Sequence, residues 1–557
     1  MARWHRQLSS AVPSVTALAS LLAMAAATAG TPAASAAEPQ PPRFVDVAAT
    51  AGVTHAYTGD WTHYVGGGVA AFDCDLDGDP DLYFAGGASP ARLFRNESAP
   101  GTVSFAPLPE AGLAETGVTG AYPLDIDGDG LMDLAVLRLG ANRLYRGLGD
   151  CRFARAGDAW GAPGGDGWTT AFSAVWERDN RLPSLAFGNY VDRHMWAAMQ
   201  TPFGEPATGA NPTPACPDNV LLRPAGAEAA VYGPALPLSP GHCPLSMLFS
   251  DWSRAGRPDL RVSNDRFYHE DTGEEQLWRL GPEPRLYGRD DGWSRLRIWG
   301  MGIASHDLTG DGLPDYFLSN MGANRLRTLE PGSTGEPRFR EIAYETGVEA
   351  TRPHAGSDER PSTAWHSQFA DVNNDGWVDL FVAKGNVEEM EEAAADDPNN
   401  LLLGGPGGGF REASVEAGAA SMRRSRGGAV IDLDLDGLLD IVVVNRVANV
   451  EILHNRSRHG GHWLQLMLRQ EGANRHAVGA WIEVRASGRI QRHEVVVGGG
   501  HVSGQAGWIH FGLGRAADAE VRVQWPDGHW SPWRHTGADR FLLIERGRML
   551  AVTQRSG

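Results

Sequence analysis

Residues Asp125–Leu134 read DIDGDGLMDL, with carboxylates at the first, third, fifth and ninth positions and glycine at the sixth. Like charges placed this closely repel one another unless they face a common cation. Oxygen side chains at alternate positions, with a glycine that permits a sharp turn, are the arrangement that wraps a hard cation such as Ca²⁺. The stretch therefore predicts a calcium-binding loop.

The motif recurs along the chain. Seven copies start 52, 51, 75, 56, 64 and 61 residues apart, a period that indicates an array of similar structural units. Two copies are degraded: the one at Asp251 keeps only its first and last aspartates, and the one at Trp176 keeps neither. The five intact copies predict about five Ca²⁺ sites with these ligands: Asp73, Asp75, Asp77, Asp81, Asp125, Asp127, Asp129, Asp133, Asp307, Thr309, Asp311, Asp315, Asp371, Asn373, Asp375, Asp379, Asp432, Asp434, Asp436 and Asp440.

The flanks of the loops are typical of strands. An EF-hand loop would end in glutamate at position 12 and lie between helices, whereas position 12 here is apolar. Small and apolar residues precede each intact loop, and β-branched or aromatic residues follow it. The alternative is a set of acidic hairpin turns that hold no metal, since Asp-Gly is a common turn signal.

Each repeat has room for about four short strands, because further apolar segments such as NRLYR (Asn142–Arg146) recur after the loop. Seven repeats of four strands predict an all-β chain with a seven-bladed β-propeller over residues 43–458. The segment FVDVAATAGV (Phe44–Val53) precedes the first loop but matches the end of a repeat. We therefore expect it to complete the last blade and close the ring.

The N-terminus indicates export, and export implies an oxidising compartment in which the four cysteines can form disulfides. Arginines followed by the apolar stretch Val15–Gly30 and small residues predict a signal peptide at residues 1–37, with a membrane anchor as the alternative. No later segment is long and apolar enough to span a bilayer. Cys216 and Cys243 flank a Pro-rich excursion and predict a disulfide, although four cysteines allow three connectivities. Zinc binding is the rival use, and no CxxC motif supports it.

The pattern changes after residue 461. Strands of period two, such as HWLQLMLR from His462, predict a small all-β domain at residues 462–547. Within it, GGGH (Gly498–His501) predicts a turn or bulge, because a phosphate-binding loop would need a following helix and a Lys-Ser/Thr pair.

The repeats resemble FG-GAP/VCBS repeats, as in integrin α-chain propellers. NRHAVGAWIEV, GGGHVSGQ, IHFGLG and VQWPDG in the C-terminal segment resemble the ASPIC/UnbV domain. The whole order is similar to that of the cartilage-acidic-protein family. This resemblance implies a calcium-binding propeller and no established chemistry for the C-terminal domain.

Two further regions are candidates for function. A Pro/Gly-rich insertion at about residues 193–243 is long for a compact domain, and either covers one face or is a plain surface loop. By analogy with integrin propellers, the calcium loops lie on one face and a ligand site opens at the other channel mouth. That site would be lined by Tyr64, Trp168, Trp365, His366, Arg424 and Arg426. The alternative is that the tryptophans only pack between blades.

Two functional hypotheses follow. A net charge of −19 argues against nucleic acid as a partner. The favoured hypothesis is an exported, secreted or periplasmic, binding and adhesion module for a protein, glycan or matrix ligand. The alternative is an enzyme with a His-containing site at the channel mouth, where His306 or His366 would converge with a carboxylate around a transition metal. None of the familiar catalytic motifs is present, so the sequence favours binding over catalysis.

Overall fold

A computed structural model describes residues 41–178, 180–194, 215–265, 273–333, 335–388, 390–458 and 460–552. The predicted signal peptide lies outside the described residues. Within them the chain is built from strands, and the all-β class is confirmed. The helical segments that lie wholly within the described residues are the 3-10 turns Trp61–His63 and Arg289–Asp291 and the helices α1 (Ala343–Thr346) and α2 (Ser414–Ala417). No helix in the described part is long and apolar enough to cross a membrane.

The first 28 strands form seven antiparallel, four-stranded units, which we call blades 1 to 7. The outermost strand of blade 7 is β1 (Phe44–Asp46), from the N-terminal end of the described chain. The other strands follow in chain order: blade 1, β2 (Val69–Phe72), β3 (Asp81–Phe84), β4 (Arg92–Asn96) and β5 (Phe105–Pro107); blade 2, β6 (Val118–Leu124), β7 (Asp133–Gly140), β8 (Arg143–Gly147) and β9 (Phe153–Arg155); blade 3, β10 (Gly167–Val175), β11 (Ser184–Asn189), β12 (Asn219–Leu222) and β13 (Leu236–Leu238); blade 4, β14 (Pro244–Ser250), β15 (Asp259–Asn264), β16 (Gln276–Arg279) and β17 (Arg285–Leu286); blade 5, β18 (Gly300–His306), β19 (Asp315–Asn320), β20 (Arg325–Leu329) and β21 (Phe339–Glu341); blade 6, β22 (Ala364–Ala370), β23 (Asp379–Lys384), β24 (Asn400–Gly404) and β25 (Phe410–Glu412); blade 7, β26 (Ser425–Ile431), β27 (Asp440–Asn445) and β28 (Glu451–Asn455).

The blades close into a ring. The first strand of each blade contacts the first strand of the next, and β26 of blade 7 lies beside β2 of blade 1. Phe44 of β1 pairs with Asn455 of β28, so the N-terminal strand completes the last blade, as its sequence predicted. These first strands, the inner strands, are almost wholly buried and consist of small and apolar residues, because both of their faces pack inside the ring.

The predicted insertion needs correction. The described part of residues 193–243 contains β12 and β13, which are the third and fourth strands of blade 3. Residues 195–214 lie outside the described part. The segment is therefore partly blade and not wholly an added loop. The stretch NVLLR (Asn219–Arg223) belongs to the recurring outer-strand pattern and contains β12, whereas the Pro-rich sequence around Leu236–Leu238 concealed β13.

The C-terminal domain has two four-stranded sheets around a separate apolar core. Its last strand ends at Val552, five residues beyond the predicted boundary at 547. The strands of this domain are β29 (His462–Arg469), β30 (Trp481–Ala486), β31 (Arg489–Glu494), β32 (Gly504–Gln505), β33 (Ile509–Gly514), β34 (Asp518–Gln524), β35 (Arg534–Gly537), β36 (Arg540–Glu545) and β37 (Arg548–Val552), of which β32 leaves both sheets to pair with β2 of blade 1.

All four cysteines form disulfides. Cys216–Cys243 is the predicted pair, and it joins the segment before β12 to the start of blade 4. Cys74–Cys151 is the complementary pair, which joins the loop of blade 1 to the β8–β9 turn of blade 2. The alternative that the cysteines bind zinc is wrong, because no free thiol is left to ligate a metal.

Candidate functional site

The five intact aspartate loops, one each in blades 1, 2, 5, 6 and 7, share one backbone conformation. The glycine at position 6 has a φ of 101° at Gly78, 94° at Gly130 and Gly312, and 88° at Gly376 and Gly437. An L side chain is strained at such angles, so the chain needs glycine there. Each of these glycines donates its N–H to the first aspartate of its loop at 2.7–3.1 Å. The turn thus fixes the first carboxylate.

The aspartate at position 9 holds the strands together. In blade 2, one Asp133 oxygen accepts the N–H of Ile126 in the loop, and the other accepts the N–H of Gly147 at the end of β8. The same two bonds recur at Asp81, Asp379 and Asp440. Because a carboxylate has about four lone-pair sites, position 9 retains capacity for a cation.

Three loops bring carboxylates close together. In blades 1, 2 and 7, the first, third and ninth carboxylates each offer an oxygen, and these oxygens lie within 4.8 Å of one another. Burial raises the pKa of Asp81 and of Asp133 to about 8, and the neighbouring carboxylates add to the effect. Asp75 Oδ1 and Asp434 Oδ1 are buried without a hydrogen-bond partner. An oxygen-only set of this kind fits Ca²⁺, whose charge would relieve the repulsion.

The loops of blades 5 and 6 differ from these three. Their third position is Thr309 or Asn373, and within the described residues their carboxylates do not form a group of three within 4.8 Å. An arginine of the C-terminal domain, Arg492, donates to Asp307 Oδ2 at 2.8 Å. Of the twenty predicted ligands, the structure therefore brings together most closely the nine at positions 1, 3 and 9 of blades 1, 2 and 7.

The degraded loop of blade 4 has the same fold with different partners. Asp251 accepts the N–H of Gly256, as in the intact loops. Asp259 Oδ2, at position 9, accepts the Trp252 indole N–H and the Tyr287 hydroxyl, both at 2.8 Å. Two neutral donors therefore contact this carboxylate where the other loops offer further carboxylates, so the blade keeps the loop conformation without the full motif.

The C-terminal domain covers the loop face of the ring. It contacts the loops of six of the seven blades, through side chains whose positions sequence reasoning did not predict. The contacts are Trp508 Nε1 to Gly78 O, Arg475 Nε to Gly128 O, Glu483 to Arg254, Arg492 to Asp307, His510 Nε2 to Asn374 Oδ1 and Gln465 Nε2 to Asp432 Oδ2.

Residues 497–505 of this domain enter the central channel, and we call them the channel segment. Val497, Gly498 and Gly500 form β-bridges with inner strands of blades 3, 4 and 5, and Ser503 bridges blade 2. The GGGH stretch is therefore neither a simple turn nor a phosphate cradle. Glycine is required both in the ring and in the channel segment. A β-carbon at Gly120 of the ring would lie 2.1 Å from Val502 O, and one at Gly498 of the segment would lie 2.8 Å from Met247 O.

A cavity of about 250 Å³ lies beneath the C-terminal domain. Burial lowers the pKa of His306 and His510 to about 3 and that of His366, His476 and His493 to about 4, so these lining imidazoles are neutral. His306 and His366 thus border one space, but on the loop face and not at the channel mouth where the enzyme hypothesis places its site. In the described part of the chain, neither joins a group of three metal-ligating side chains.

Five of the six residues predicted at the other channel mouth are buried or closely packed. Tyr64, Trp168 and Trp365 lie in one apolar cluster at the start of the inner strands, away from the loops. Arg426 lies 4.1 Å from the Trp365 ring and donates to Tyr64 O at 2.9 Å. Arg424 is partly exposed and binds Glu388. His366 Nδ1 accepts the N–H of His501 in the channel segment. In this conformation the six do not form an open pocket; the tryptophans pack, as the alternative held.

Profiles of known families match both parts of the chain. The FG-GAP-like repeat profile matches residues 73–136, 307–382 and 371–443, and the ASPIC and UnbV profile matches residues 470–550. The chain combines FG-GAP-like repeats with an ASPIC and UnbV domain. The FG-GAP matches fall on the loops of blades 1, 2, 5, 6 and 7, and the ASPIC and UnbV match covers most of the domain that docks on them.

Cartilage acidic protein 1 of Mus musculus is 26% identical over 234 residues, which is 41% of this chain and 34% of that protein. The Homo sapiens protein is 25% identical over 234 residues, 41% of this chain and 33% of that one. The chain thus matches about a third of the length of these curated relatives.

Solved structures with a similar course of the chain are also remote in sequence. BBS1N in complex with ARL6DN has a TM-score of 0.42 at 12% identity, covering 75% of this chain and 98% of that one. The BP39L lectin from Burkholderia pseudomallei has a TM-score of 0.37 at 9% identity, covering 85% and 99%.

Proposed function

We propose that this protein is an exported, calcium-stabilised propeller that binds a protein, glycan or matrix ligand in the extracellular space or the periplasm. The observation that carries the proposal is the convergence of buried and half-buried carboxylates in the loops of blades 1 and 2. Without a cation, these groups destabilise the ring by mutual repulsion. With Ca²⁺, the same groups stabilise it, because binding to the folded state alone adds to the free energy of unfolding.

Export is supported by the disulfides. Both cysteine pairs are bonded, and structural disulfides persist in oxidising compartments. The relatives carry the name cartilage acidic protein, which accords with a matrix setting and with the net charge of −19 here. A binding role follows from the repeat class, since the described residues present a rigid ring of blades whose outer strands and connecting turns are available as contact surface.

The enzyme hypothesis retains one supporting observation, the neutral histidines around the cavity. Neutral imidazole is the form that accepts a proton or ligates a metal. This makes the cavity the place to look if the purified protein shows a reaction, and binding remains the better-supported function.

The first test is a count of calcium in protein that has been stripped with a chelator and then dialysed against Ca²⁺. We expect Asp125→Asn, in blade 2, to lose one calcium, because it removes the carboxylate that the glycine turn fixes. Asp251→Asn is the matched control: it changes the same position of the degraded loop in blade 4, so calcium should stay at the wild-type count.

Thermal unfolding of the same proteins gives a second readout. Calcium at about 100 times its Kd stabilises a site by about 2.7 kcal/mol, so chelation should lower Tm clearly. Binding to arrays of glycans and to immobilised matrix proteins, with calcium and with chelator, tests the module itself. The absence of bound calcium would overturn the calcium role, and the absence of any calcium-dependent ligand would overturn the binding role.

A further inference from the structure

The loop of blade 7 differs from the other loops in one ligand-forming side chain. His454 of β28 lies with Nε2 3.2 Å from Asp434 Oδ2, the third carboxylate of the loop. Asp434, Asp436 and His454 offer three ligand atoms within 4.8 Å of one another, in addition to the group formed by Asp432, Asp434 and Asp440. Asp434 is thus shared by an all-carboxylate group and by a group that contains imidazole.

The residue at this point of the blade can be compared across the ring. His454 directly precedes Asn455, whose N–H binds the position-9 aspartate of its loop. Arg146 directly precedes Gly147, which makes the same bond in blade 2, and Arg146 Nε lies 2.8 Å from Asp127 Oδ2. Strand register places Arg95, Arg279, Thr328 and Leu403 at the corresponding points of blades 1, 4, 5 and 6. An arginine cannot ligate a cation, whereas a neutral imidazole can.

The polar atoms at this site are incompletely used. Asp434 and His454 are each only 2% exposed, yet Asp434 Oδ1 and His454 Nδ1 have no hydrogen-bond partner. Buried polar atoms without partners are costly, and a bound ion is one physical reason for a protein to keep them. Gly101 N–H donates to Asp434 Oδ2 at 2.7 Å, and Gln465 of the C-terminal domain donates to Asp432, so protein donors orient both carboxylates.

We infer that the loop of blade 7 binds a divalent first-row transition cation such as Zn²⁺ in preference to Ca²⁺, with Asp434, Asp436 and His454 as its ligands. Calcium takes oxygen ligands, whereas Zn²⁺ takes imidazole together with carboxylate. Two ligands on one tetrahedral Zn²⁺ lie about 3.3 Å apart, close to the observed separation of 3.2 Å between His454 Nε2 and Asp434 Oδ2. The inference rests on the proposed function only in treating the loops as cation sites.

The test uses the full chain, stripped of metal and dialysed against millimolar Ca²⁺ with a small excess of Zn²⁺. After desalting, elemental analysis counts both metals. We expect about one Zn²⁺ per wild-type chain and near none in His454→Asn. His462→Asn is the matched control, because it removes another histidine that pairs with a carboxylate, at 2.7 Å from Asp539, outside the loops. It should retain the wild-type Zn²⁺.

A gain-of-function variant covers the case in which His454→Asn fails to fold. Arg146 is 46% exposed, so Arg146→His should be tolerated, and it gives blade 2 the imidazole that blade 7 has. We expect a second Zn²⁺ in this variant, and a visible absorption band for Co²⁺ substituted at each imidazole site. Wild-type protein that binds no Zn²⁺ in calcium, or folded His454→Asn that keeps it, would overturn the inference.

The two proposals fail separately. Five Ca²⁺ and no Zn²⁺ would remove the transition-metal site and leave the calcium propeller intact. One Zn²⁺ and no Ca²⁺ would support the blade 7 site and remove the calcium role of the other loops.

Discussion

Arg492 of the C-terminal domain binds Asp307, the first residue of the blade 5 loop, through a 2.8 Å contact from Nη1 to Oδ2. The same guanidinium reaches Glu483 through Nε at 2.9 Å. The Asp307 side chain is 1% exposed and that of Arg492 is 16% exposed, so the pair is shielded from solvent. The first carboxylate of the blade 5 loop is thus paired with an arginine from another domain.

Replacing this arginine should loosen the docked domain. We expect Arg492→Gln to lower the free energy of unfolding by about 1–3 kcal/mol, because it leaves the buried Asp307 carboxylate without its charged partner. Denaturant titration of the purified protein measures the change. Arg548→Gln removes an exposed pair with Glu545 and serves as the control, with a change of less than about 0.5 kcal/mol. An equal loss of unfolding free energy in the two variants would show that the buried contact stabilises the protein no more than an exposed ion pair does.

The channel segment should be sensitive to the size of the facing residue. Gly120→Ala puts a β-carbon 2.1 Å from Val502 O, so the segment must shift. We expect a loss of at least about 2 kcal/mol and faster proteolysis between the propeller and the C-terminal domain. Gly226→Ala is the control, since its β-carbon would meet nothing within 4 Å and the change should stay within about 0.5 kcal/mol. An unaltered Gly120→Ala protein would mean that the segment does not occupy the channel in solution.

Glu494 should make docking depend on pH. Burial raises the pKa of Glu494 to about 8, with Asp251 adding to the rise and Arg254, Ser250 and backbone donors opposing it. Because the folded protein holds this proton more tightly than the unfolded chain does, the free energy of unfolding falls as pH rises from about 4.5 to about 8.

Glu494→Gln mimics the protonated carboxyl, so it should remove this part of the pH dependence. Thermal unfolding at pH 5.5 and pH 8.5 in calcium tests this prediction. Between these pH values the free energy of unfolding should fall by about 2–4 kcal/mol more in the wild type than in the variant. Parallel pH profiles for the two proteins would contradict the prediction. Working in calcium keeps the loop carboxylates from adding their own titration.

The disulfide Cys74–Cys151 should support the loop of blade 1. The pair closes a sequence separation of 77 residues, so Cys74→Ala with Cys151→Ala should lower the free energy of unfolding by about 3–4 kcal/mol. Cys74 follows Asp73, the first predicted ligand of that loop, and calcium there should therefore weaken. Calcium titration with the Cys216→Ala, Cys243→Ala variant as control should show no such weakening, and an equal loss in both would contradict the prediction.

The repeat was readable from the sequence because its signal is local. Three short patterns determine their own geometry: Gly130 and its four equivalents, the β-branched residues after each loop, and the segment at Phe44 that matches the end of a repeat. The pairing of Cys216 with Cys243 followed from their position around one excursion.

The docked domain was not readable in this way. Arg492 and Asp307, or Val502 and Gly120, are far apart in sequence, and neither member of each pair carries a local sign of its partner. The glycines of the inner strands were the one available clue: a strand glycine indicates the close approach of another backbone. The predicted mouth residues failed to form an open site for a related reason, since an aromatic pattern does not tell packing from ligand binding.

The pairing of Phe44 with Asn455 sets the order in which the molecule can assemble. A chain that emerges N-terminus first must leave β1 without its partner strand until β28 has been made, so the ring cannot be sealed during synthesis of the early blades. The channel segment follows β28 and inserts between strands that exist as a ring only after sealing. We therefore expect ring closure to precede insertion, and a chain interrupted before residue 451 to expose open sheet edges, the usual starting point for aggregation.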